Sequence, residues 1–568
     1  MSATDAIWKI VHDRLKESEE FDNEPYQYHM PILTEKEPAQ LPSQGRGQSP
    51  EPRVTPSPVA PGSIAEKSAF IGLAVLILYA TVRNICNTIV KPMWYDEICT
   101  VLLSQQEHLS RLWQALARGA DSAPITFYLL ERIPAAFIRN ENLAYRAISI
   151  LGFAVMLLCL FVAIRTRKGS AIALVAAAFP LTTVLFDRFA VEARGYSMLV
   201  ACIAFAIVCY QRVPARRWVI LLGLSLTLAE TFHYFAVFAF LPFLLAEAAH
   251  YGMTRDFRRG VWMALLVGFV PMACSWPTIY GMQKTFGQHY FTQPTWETTL
   301  SSYSEYFPGT RMSGGVCLVA AAALAILFTM LVTLRRTSQG EDPAGAPVPE
   351  LALALGLLSL PLVGFGAAAA AHSGMNSKYL VSSVLGFCLA LGFSLPRVPR
   401  RGFLVAAASA LLLCVIVPQE HAFWRGYDGR FVSPTRFEEN FVSVAGHPDL
   451  PVVVSDTHDF MRLQHYTNKS WQKRFVLLVD PEQAVIYTGS DTGDKQLAIL
   501  RQYTNLPIYD FQPFLAEHPA FLLYSSKGGN GSDWWPRRLK QDGFTLRMVS
   551  VLPKELFDFY HRVILVTR

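Results

Sequence analysis

The sequence predicts a mainly α-helical membrane protein, a bundle of about eleven transmembrane helices followed by a small C-terminal α/β domain. Three observations support this fold class. The chain has 568 residues, of which 52% are hydrophobic and only 17% charged, which is too apolar for a soluble protein of this length. Most apolar residues are grouped in runs that approach the ~20 residues needed to cross a bilayer. After Pro418 these runs give way to short β-rich segments.

Residues 1–67 form a polar N-terminal tail, with a stretch from Glu37 to Pro61 that is dense in Pro, Ser, Gln and Gly. Such a composition buries too little apolar surface to fold by itself, so we expect a largely disordered tail on the cytoplasmic side. The chain does not start with the basic region and short apolar core of a cleavable signal peptide. We therefore expect the first apolar run to act as an uncleaved anchor.

Residues 68–418 contain the apolar runs and are predicted to form the transmembrane domain. The segment from Trp218 to Ala249 is long for one helix and short for two, and is read as two. The runs lie near residues 68–90, 147–164, 170–187, 197–210, 216–230, 232–249, 261–279, 313–334, 350–371, 379–395 and 402–418.

Basic residues cluster in the links at every second junction between these runs, the pattern of cytoplasmic loops. This alternation predicts an integral protein of the cytoplasmic (inner) membrane, with its N-terminus in the cytoplasm and its C-terminal domain outside. The formal charge of the chain is +6, and its basic residues cluster in these links rather than on one face, which argues against a nucleic-acid partner. The same alternation sends the segments with reactive side chains to the outer face.

The first outer segment begins with a predicted loop that carries Asp96 and Glu97, directly after the first apolar run. Two adjacent carboxylates at the exit of a membrane helix are costly unless they meet water, a partner or a substrate, so the pair indicates a functional site. The alternative is the ordinary polarity of a membrane interface. Farther on, Leu109 to Arg118 and Ile125 to Phe137 have helical periodicity and are predicted to lie in the interface plane.

Residues 419–568 are predicted to form an extracytoplasmic α/β domain, because short β-rich runs alternate there with helix-compatible segments. Gly528-Gly529-Asn530-Gly531 lacks the spacing of a phosphate-binding loop, and acceptor recognition and structural capping both remain open as roles. All nine cysteines precede this domain and lie in or beside apolar runs, which is typical of small core residues. The predicted strands are Val452 to Val454, Phe475 to Val479, Phe521 to Tyr524 and Val563 to Val566, and the predicted helices are Asp459 to Tyr466 and Lys495 to Thr504.

Six short segments together resemble the membrane glycosyltransferases of the GT-C fold. The resemblance is to the bacterial group that is similar to protein O-mannosyltransferases, the aminoarabinose transferase of lipid A and the RgtA/B/C/D-like sugar transferases. The resemblance covers residues 68–418. This sequence departs from the family pattern at three positions: Lys378 replaces Arg, and Ser122 and Ala123 replace His and Pro. The segments are Trp94 to Glu97, Asp121 to Leu130, Tyr145 to Ser149, Glu192 to Ser197, Thr231 to Tyr234 and Ser377 to Leu380.

The resemblance implies an enzyme that moves a sugar from a polyprenyl-phosphate donor to a glycan, lipid or protein acceptor at the outer face of the membrane. We expect an inverting single displacement and contact with membrane lipids. A lipid or sugar transporter or flippase is the alternative, and a non-catalytic assembly or sensor protein is a third. Charge-poor spans without a recognisable internal repeat favour the enzyme over the transporter.

The reaction implied by the resemblance assigns roles to five residues. An acceptor hydroxyl needs a base, for which Asp96 is the candidate, with Glu97 as its partner or as an acceptor contact; the two could exchange roles. The leaving lipid phosphate needs cations, for which Arg194 and Lys378 are the candidates and Arg188 a third. The alternative for each cation is anchoring at the lipid headgroups.

Other residues are expected to line the substrate pocket. Glu192 either pairs with Arg194 or points with it into one cavity. His233 is interpreted as a polar turn residue and not as a base, and Tyr290 belongs to an aromatic outer loop that stacks on sugar or rests at the membrane interface. No HxxxH or HExxH spacing occurs, so no metal or other cofactor is expected, and a divalent metal held by the outer carboxylates and His233 is the alternative. The pocket residues predicted in this way are Glu192, Tyr196, Tyr128, His233 and Tyr290.

Overall fold

The structure is a computed structural model that describes residues 64–339, 346–395, 401–427, 447–527, 534–552 and 560–568. The predicted disorder before residue 64 and the glycine segment at 528–531 lie outside these ranges. The described residues form a helical body, followed by a six-stranded sheet with its own helices.

The helical body begins at Ile64 and ends at Arg425. Short 3-10 segments connect several of its helices, including Phe179–Thr182, Phe189–Val191, Tyr234–Ala239 and Ser377–Leu380. In chain order the α-helices are α1 (Ile64–Val90), α2 (Tyr95–Ser104), α3 (Leu109–Arg118), α4 (Ile125–Phe137), α5 (Glu141–Lys168), α6 (Ser170–Ala178), α7 (Val184–Asp187), α8 (Tyr196–Tyr210), α9 (Arg216–Phe232), α10 (Phe240–Thr254), α11 (Arg259–Gly268), α12 (Val270–Phe286), α13 (Trp296–Glu305), α14 (Met312–Ser338), α15 (Val348–Leu358), α16 (Leu360–Ala370), α17 (Ser383–Ser394) and α18 (Arg401–Arg425).

Every predicted apolar run falls on helical structure, which confirms a polytopic helical protein. Within the described ranges six helices are long and apolar enough to cross a membrane, or up to eight if each of two bent pairs is one span. Two further apolar helices, α8 and α17, have 15 and 12 residues, less than a straight crossing requires. Eleven spans therefore stays a prediction.

Breaks in the helices have local causes. One bent pair, Val348–Leu358 and Leu360–Ala370, turns by 53°, and Pro361 stands at the start of its second helix. Proline lacks the N–H that would continue the helical hydrogen bonds, so it favours a new start there. The segment from Trp218 to Ala249 is also divided: α9 ends at Phe232, and His233 is extended, with φ −159°. This break is what presents His233 at a turn.

The segment between α2 and α5 contains the two predicted helices, α3 and α4, with the bounds that the periodicity indicates. The expectation that Asp96 stands on a loop is wrong, because Asp96 lies in the first turn of helix α2. The Glu97 carboxylate accepts a hydrogen bond from the backbone N–H of Trp94 at 3.2 Å, which satisfies a donor at the helix start. Acidic side chains also favour a helix N-terminus through its dipole.

The C-terminal sheet has the order β3-β2-β1-β4-β6-β5. The first four strands are mutually parallel, and β6 pairs antiparallel with both β4 and β5. The four predicted strands are confirmed, although β4 and β6 are longer than predicted, and β3 and β5 are additional. The strands are β1 (Val452–Val454), β2 (Phe475–Val479), β3 (Ile508–Asp510), β4 (Ala520–Lys527), β5 (Thr545–Leu552) and β6 (Tyr560–Thr567).

Helices separate the first five strands along the chain, and the two predicted helices are confirmed as Thr457–Tyr466 and Thr492–Leu500. The C-terminal helices are α19 (Thr457–Tyr466), α20 (Lys469–Gln472), α21 (Pro481–Thr488), α22 (Thr492–Leu500), α23 (Phe511–Glu517) and α24 (Trp535–Gln541).

The two faces of the sheet belong to different cores because successive strand residues point to opposite sides. Val453 on β1 packs with α23 and α24. Val452 and Val454 belong to a second core that includes Met93, Leu112 and other residues of helices α2 to α4. Through α19 and α22, the C-terminal domain is thus packed on the segment that carries Asp96 and Glu97.

Candidate active site

A cavity of about 680 Å³ lies between the helical body and the C-terminal domain. Its volume is typical of a ligand pocket. The helical body contributes the start of α2, residues near Asp121 and Arg194, and the segment Asn376 to Tyr379. The C-terminal domain contributes Ser455 to His458 and residues around α22.

Asp96, Lys378 and Arg194 meet in this cavity although they are far apart in the sequence. The Lys378 ammonium lies 2.8 Å from Asp96 Oδ2, and both side chains are only partly exposed, at 13% and 16%. The nearest Arg194 nitrogen is 4.0 Å from the same oxygen. Lys378 also lies 5.0 Å from the centre of the Trp94 ring. The structure therefore brings together the predicted base and both principal predicted cations.

Asp121 fixes the guanidinium of Arg194 in a two-pronged ion pair. Two Arg194 nitrogens donate to the two Asp121 oxygens at 2.5 and 3.0 Å, and one of them also donates to the Thr100 hydroxyl at 3.1 Å. Arg and carboxylate side chains match in this geometry, so the orientation of Arg194 is set before any ligand binds.

Ionisation of Asp96 reflects opposing effects. Burial alone would raise its pKa, but the charges of Lys378 and Arg194 outweigh burial and bring the pKa down to about 2. The neighbouring Asp96 carboxylate raises the pKa of Lys378 against the effect of burial. Asp96 is consequently a carboxylate, and Lys378 an ammonium, throughout the physiological pH range.

Glu97 points away from the cavity and is completely buried. Arg146 donates to its two oxygens at 2.6 and 2.8 Å, and the backbone N–H of Ala193 donates at 2.8 Å. The same guanidinium donates to the carbonyls of Thr88 and Lys91 at the end of α1. Glu97 and Arg146 thus connect α1, α2, α5 and the chain beside Arg194, which suits a positioning role for Glu97.

Glu192 pairs with Arg188, at 2.7 Å, and not with Arg194 as the sequence suggested. The reason is that both terminal nitrogens of the Arg194 guanidinium already donate to Asp121. Arg188 lines the cavity and lies 5.1 Å above the Trp94 ring, whereas Glu192 does not line it and contributes to a smaller adjoining pocket.

Three of the remaining predicted pocket residues stand behind the cavity wall. His233 uses Nδ1 to accept a hydrogen bond from Phe235 N at 3.2 Å, and its ring packs between Tyr196 and Tyr379. Tyr196 and Tyr128 are buried and do not line the cavity. Tyr290 does line it and hydrogen-bonds the Tyr379 hydroxyl.

Several residues in and behind the cavity were missed by sequence reasoning. Asp121 and Arg146 lie within segments that resemble the glycosyltransferases, yet their partners are 73 and 49 positions away. His458, whose ring centre lies 5.2 Å from that of Tyr95 and 6.3 Å from that of Trp94, had no signal beyond its position after a predicted strand. Across the described ranges no group of three or more His, Cys, Asp or Glu is placed to hold a metal ion.

Comparison with known proteins gives a fold and no sequence relative. No family sequence model and no curated protein matches the chain. The crystal structure of ArnT from Cupriavidus metallidurans in the apo state is similar over 88% of this chain and 98% of that one, with TM-score 0.50 and 12% identity. The structure of that protein bound to undecaprenyl phosphate is similar over 87% of this chain and 97% of that one, with TM-score 0.49 and 13% identity. The chain thus has the ArnT-like GT-C fold.

Proposed function

We propose that this protein is a membrane glycosyltransferase that moves a sugar from a polyprenyl-phosphate donor to a cell-envelope acceptor at the outer face of the membrane. The observation that carries the proposal is the convergence of Asp96, Lys378 and Arg194 in one cavity. Six segments that resemble this enzyme group, and the shared fold, support it.

The proposed reaction is a single displacement with inversion. The acceptor oxygen forms a bond to the anomeric carbon while the bond from that carbon to the phosphate oxygen breaks. The acceptor proton passes to Asp96, and the electron pair leaves with the polyprenyl phosphate. A positioned carboxylate is suited to this proton transfer, because general base catalysis typically raises the reaction rate by about 10²- to 10⁴-fold.

The cations stabilise the leaving phosphate as its negative charge grows. Arg194 is held by Asp121 and offers a fixed positive group, whereas Lys378 has a flexible stem and three donors. Lys378 donates a hydrogen bond to Asp96 in the structure. A bound donor phosphate would draw the ammonium toward itself, which weakens its hold on Asp96 and makes that carboxylate a stronger base.

Other residues act through these three. Glu97 and Arg146 position the start of α2, and Asp121 positions Arg194. Arg188, 47% exposed beside Trp94, is suited to a peripheral phosphate contact.

We place the cavity and the C-terminal domain on the extracytoplasmic side of the inner membrane, with the N-terminus in the cytoplasm. Basic residues in alternate links support that orientation.

The test is Asp96→Asn in proteoliposomes supplied with a labelled polyprenyl-phosphate sugar. The amide keeps the size of the side chain but cannot take the proton, so transfer should fall at least about 10²-fold while the protein stays folded. Asp256→Asn is the matched control, because this carboxylate is 67% exposed and does not line the cavity. Retained turnover in Asp96→Asn would remove Asp96 from the mechanism.

A further inference from the structure

The C-terminal domain supplies a wall of the cavity that the proposed chemistry does not use. This wall, here called the sheet-side wall, consists of Ser455, Asp456, Thr457 and His458 after β1, together with residues around α22 such as Ser490, Thr492 and Asp494. It faces the Asp96 side of the same cavity. A two-substrate enzyme needs a second subsite, and this wall adjoins the predicted base.

The sheet topology explains why these side chains collect there. Strand β1 pairs with β2 on one side and with β4 on the other. The chain runs from β1 to β2 and β3 in one direction and then returns to β4 beyond β1, so the order reverses at β1. Parallel sheets bind ligands outside the carboxyl ends of the strands at such a point. Ser455 to His458 follow directly from the carboxyl end of β1.

One buried side chain in this wall has no partner. The Ser455 side-chain hydroxyl is without a hydrogen-bond partner, although the residue is only 5% exposed and lines the cavity. A buried polar group of this kind costs free energy unless water or a ligand satisfies it. A polar ligand in the cavity that Ser455 lines would satisfy this hydroxyl.

His458 connects this wall to the proposed catalytic residues. Its backbone N–H and that of Asp459 donate to the Asp456 carboxylate at 2.8 and 3.1 Å, which fixes the start of α19. Its side chain is half exposed, with Nδ1 3.7 Å from that carboxylate, and its ring packs beside Trp94 and Tyr95. A hydroxyl bound to the exposed part of this ring lies next to the helix turn that carries Asp96.

Charge divides the cavity into two regions. Its Lys and Arg residues among the described positions, Arg188, Arg194 and Lys378, all belong to the helical body, which also contributes the carboxylates Asp96, Asp121 and Glu305. The sheet-side wall instead has Asp456 and Asp494, several hydroxyls and one histidine. A donor phosphate is thus attracted to the helical side, and an anionic acceptor would be repelled from the opposite wall.

We propose that the sheet-side wall is the acceptor subsite and that the acceptor is an uncharged saccharide, whose hydroxyl is presented to Asp96 by contacts with Ser455 and His458. This inference rests on the proposed function and adds the acceptor class. Hydroxyls and carboxylates are the groups that hydrogen-bond a sugar ring, whereas recognition of an acceptor phosphate would need cations.

The experiment uses the full chain in proteoliposomes with labelled polyprenyl-phosphate sugar from cells that make the protein. A cell-envelope extract is separated by anion exchange into uncharged glycans and anionic lipids, and each fraction is offered as acceptor. Label should enter the uncharged glycans in a linkage that resists mild acid, as a glycoside does. Label on the anionic lipids in an acid-labile glycosyl-phosphate linkage would overturn the acceptor class.

His458→Gln and Ser455→Ala test the subsite. Each should raise the acceptor KM about tenfold, as expected for one lost hydrogen bond, while donor binding stays at the wild-type level. His518→Gln is the control, because this histidine stacks on Phe514 in the core on the other face of the sheet. Unchanged acceptor KM in both variants would overturn the subsite. A wild-type protein that binds no donor would instead overturn the proposed function, and this inference with it.

Discussion

At the residue scale, the protonation of Asp96 depends on Lys378. Burial raises the pKa of this carboxyl, and Lys378, followed by Arg194, lowers it to about 2. Removal of Lys378 leaves burial opposed by Arg194 at 4.0 Å and by the weaker effect of His458, so the Asp96 pKa must rise. Activity requires the ionised form and is lost as pH falls through that pKa.

Lys378→Met should therefore move the acid limb of the kcat/KM profile to higher pH, by at least about two units. It should also lower kcat roughly 10²- to 10³-fold through the lost phosphate contact. The measurement is the initial transfer rate from pH 3.5 to 8 in proteoliposomes, where the wild type should show no acid limb because its Asp96 pKa is about 2. A Lys378→Met profile that also lacks an acid limb in this range would show that Lys378 does not control Asp96.

The buried pair of Glu97 and Arg146 predicts a stability effect. Arg146→Met leaves the Glu97 carboxylate buried without its partner, which should lower the free energy of unfolding by roughly 3–5 kcal/mol. The double variant Glu97→Gln, Arg146→Met removes both charges, so its free energy of unfolding should fall by less than that of Arg146→Met. Denaturant unfolding in detergent measures both, and a double variant less stable than Arg146→Met would contradict the pairing argument.

These pairs also show which parts of the site the sequence reveals. Asp96, Arg194 and Lys378 could be predicted because each stands in a segment with a recognisable pattern. The Asp121–Arg194 pair could not, since it depends on how the segments that precede α4 and α8 are brought together across 73 positions. The Glu192–Arg188 pair depends equally on that packing, because Arg194 is already occupied.

At the element scale, close helix packing holds the segment that carries Arg194. Gly195 precedes α8, and a Cβ atom at this position would lie 2.6 Å from the carbonyl oxygen of Phe232 at the end of α9. That contact involves backbone, so the chain and not a flexible side chain must move. Small displacements of a catalytic group cost rate steeply.

Gly195→Ala should consequently reduce kcat/KM at least about tenfold with little change in expression. Gly366→Ala is the matched control, because its Cβ would meet no atom within 4 Å. Transfer assays of the two purified variants provide the comparison. Wild-type activity in Gly195→Ala would mean that Arg194 tolerates the shift or does not contribute.

The burial and length of each strand decide whether the sequence predicts it. Strands β1 and β2 are continuous runs of buried Val, Leu and Phe, which is typical of parallel strands covered on both faces. Strand β3 has three residues, two of them exposed, and is too short to show a pattern. Strand β5 lies at the edge of the sheet with Met548, Val549 and Val551 exposed, so its apolar residues do not alternate clearly.

At the scale of the whole molecule, one core joins the C-terminal domain to the segment that carries the predicted base. Leu463 on α19 belongs to this core with Met93 and Tyr95, whereas Leu539 on α24 belongs to the core on the other face of the sheet. The backbone N–H of Met93 also donates to the Tyr466 hydroxyl at 2.7 Å. The cavity is therefore shaped by both parts of the chain.

Leu463→Ala and Leu539→Ala should each destabilise the protein by roughly 2–5 kcal/mol, but only Leu463→Ala should increase amide hydrogen exchange in α2. Mass spectrometry of the exchanged peptides covering Tyr95–Ser104 measures this difference. Equal exchange of α2 in the two variants would contradict the shared core.

The sequence predicted the class of the whole molecule better than its assembly. Apolar runs indicated a polytopic helical body, and alternating segments after Pro418 indicated an α/β domain. Nothing in either pattern indicated that the domain packs on α2 to α4, because that contact depends on side chains such as Leu112 and Leu497 from separate parts of the chain. The sheet-side wall was missed for the same reason.

The most direct test of the account is native mass spectrometry of the protein released from membranes, with quantification of bound polyprenyl phosphate. Wild type and Arg118→Gln, which changes an arginine outside the cavity, should retain the lipid phosphate, and Lys378→Met should lose most of it. Equal retention by Lys378→Met, or none by the wild type, would contradict the claim that these cations bind the donor phosphate.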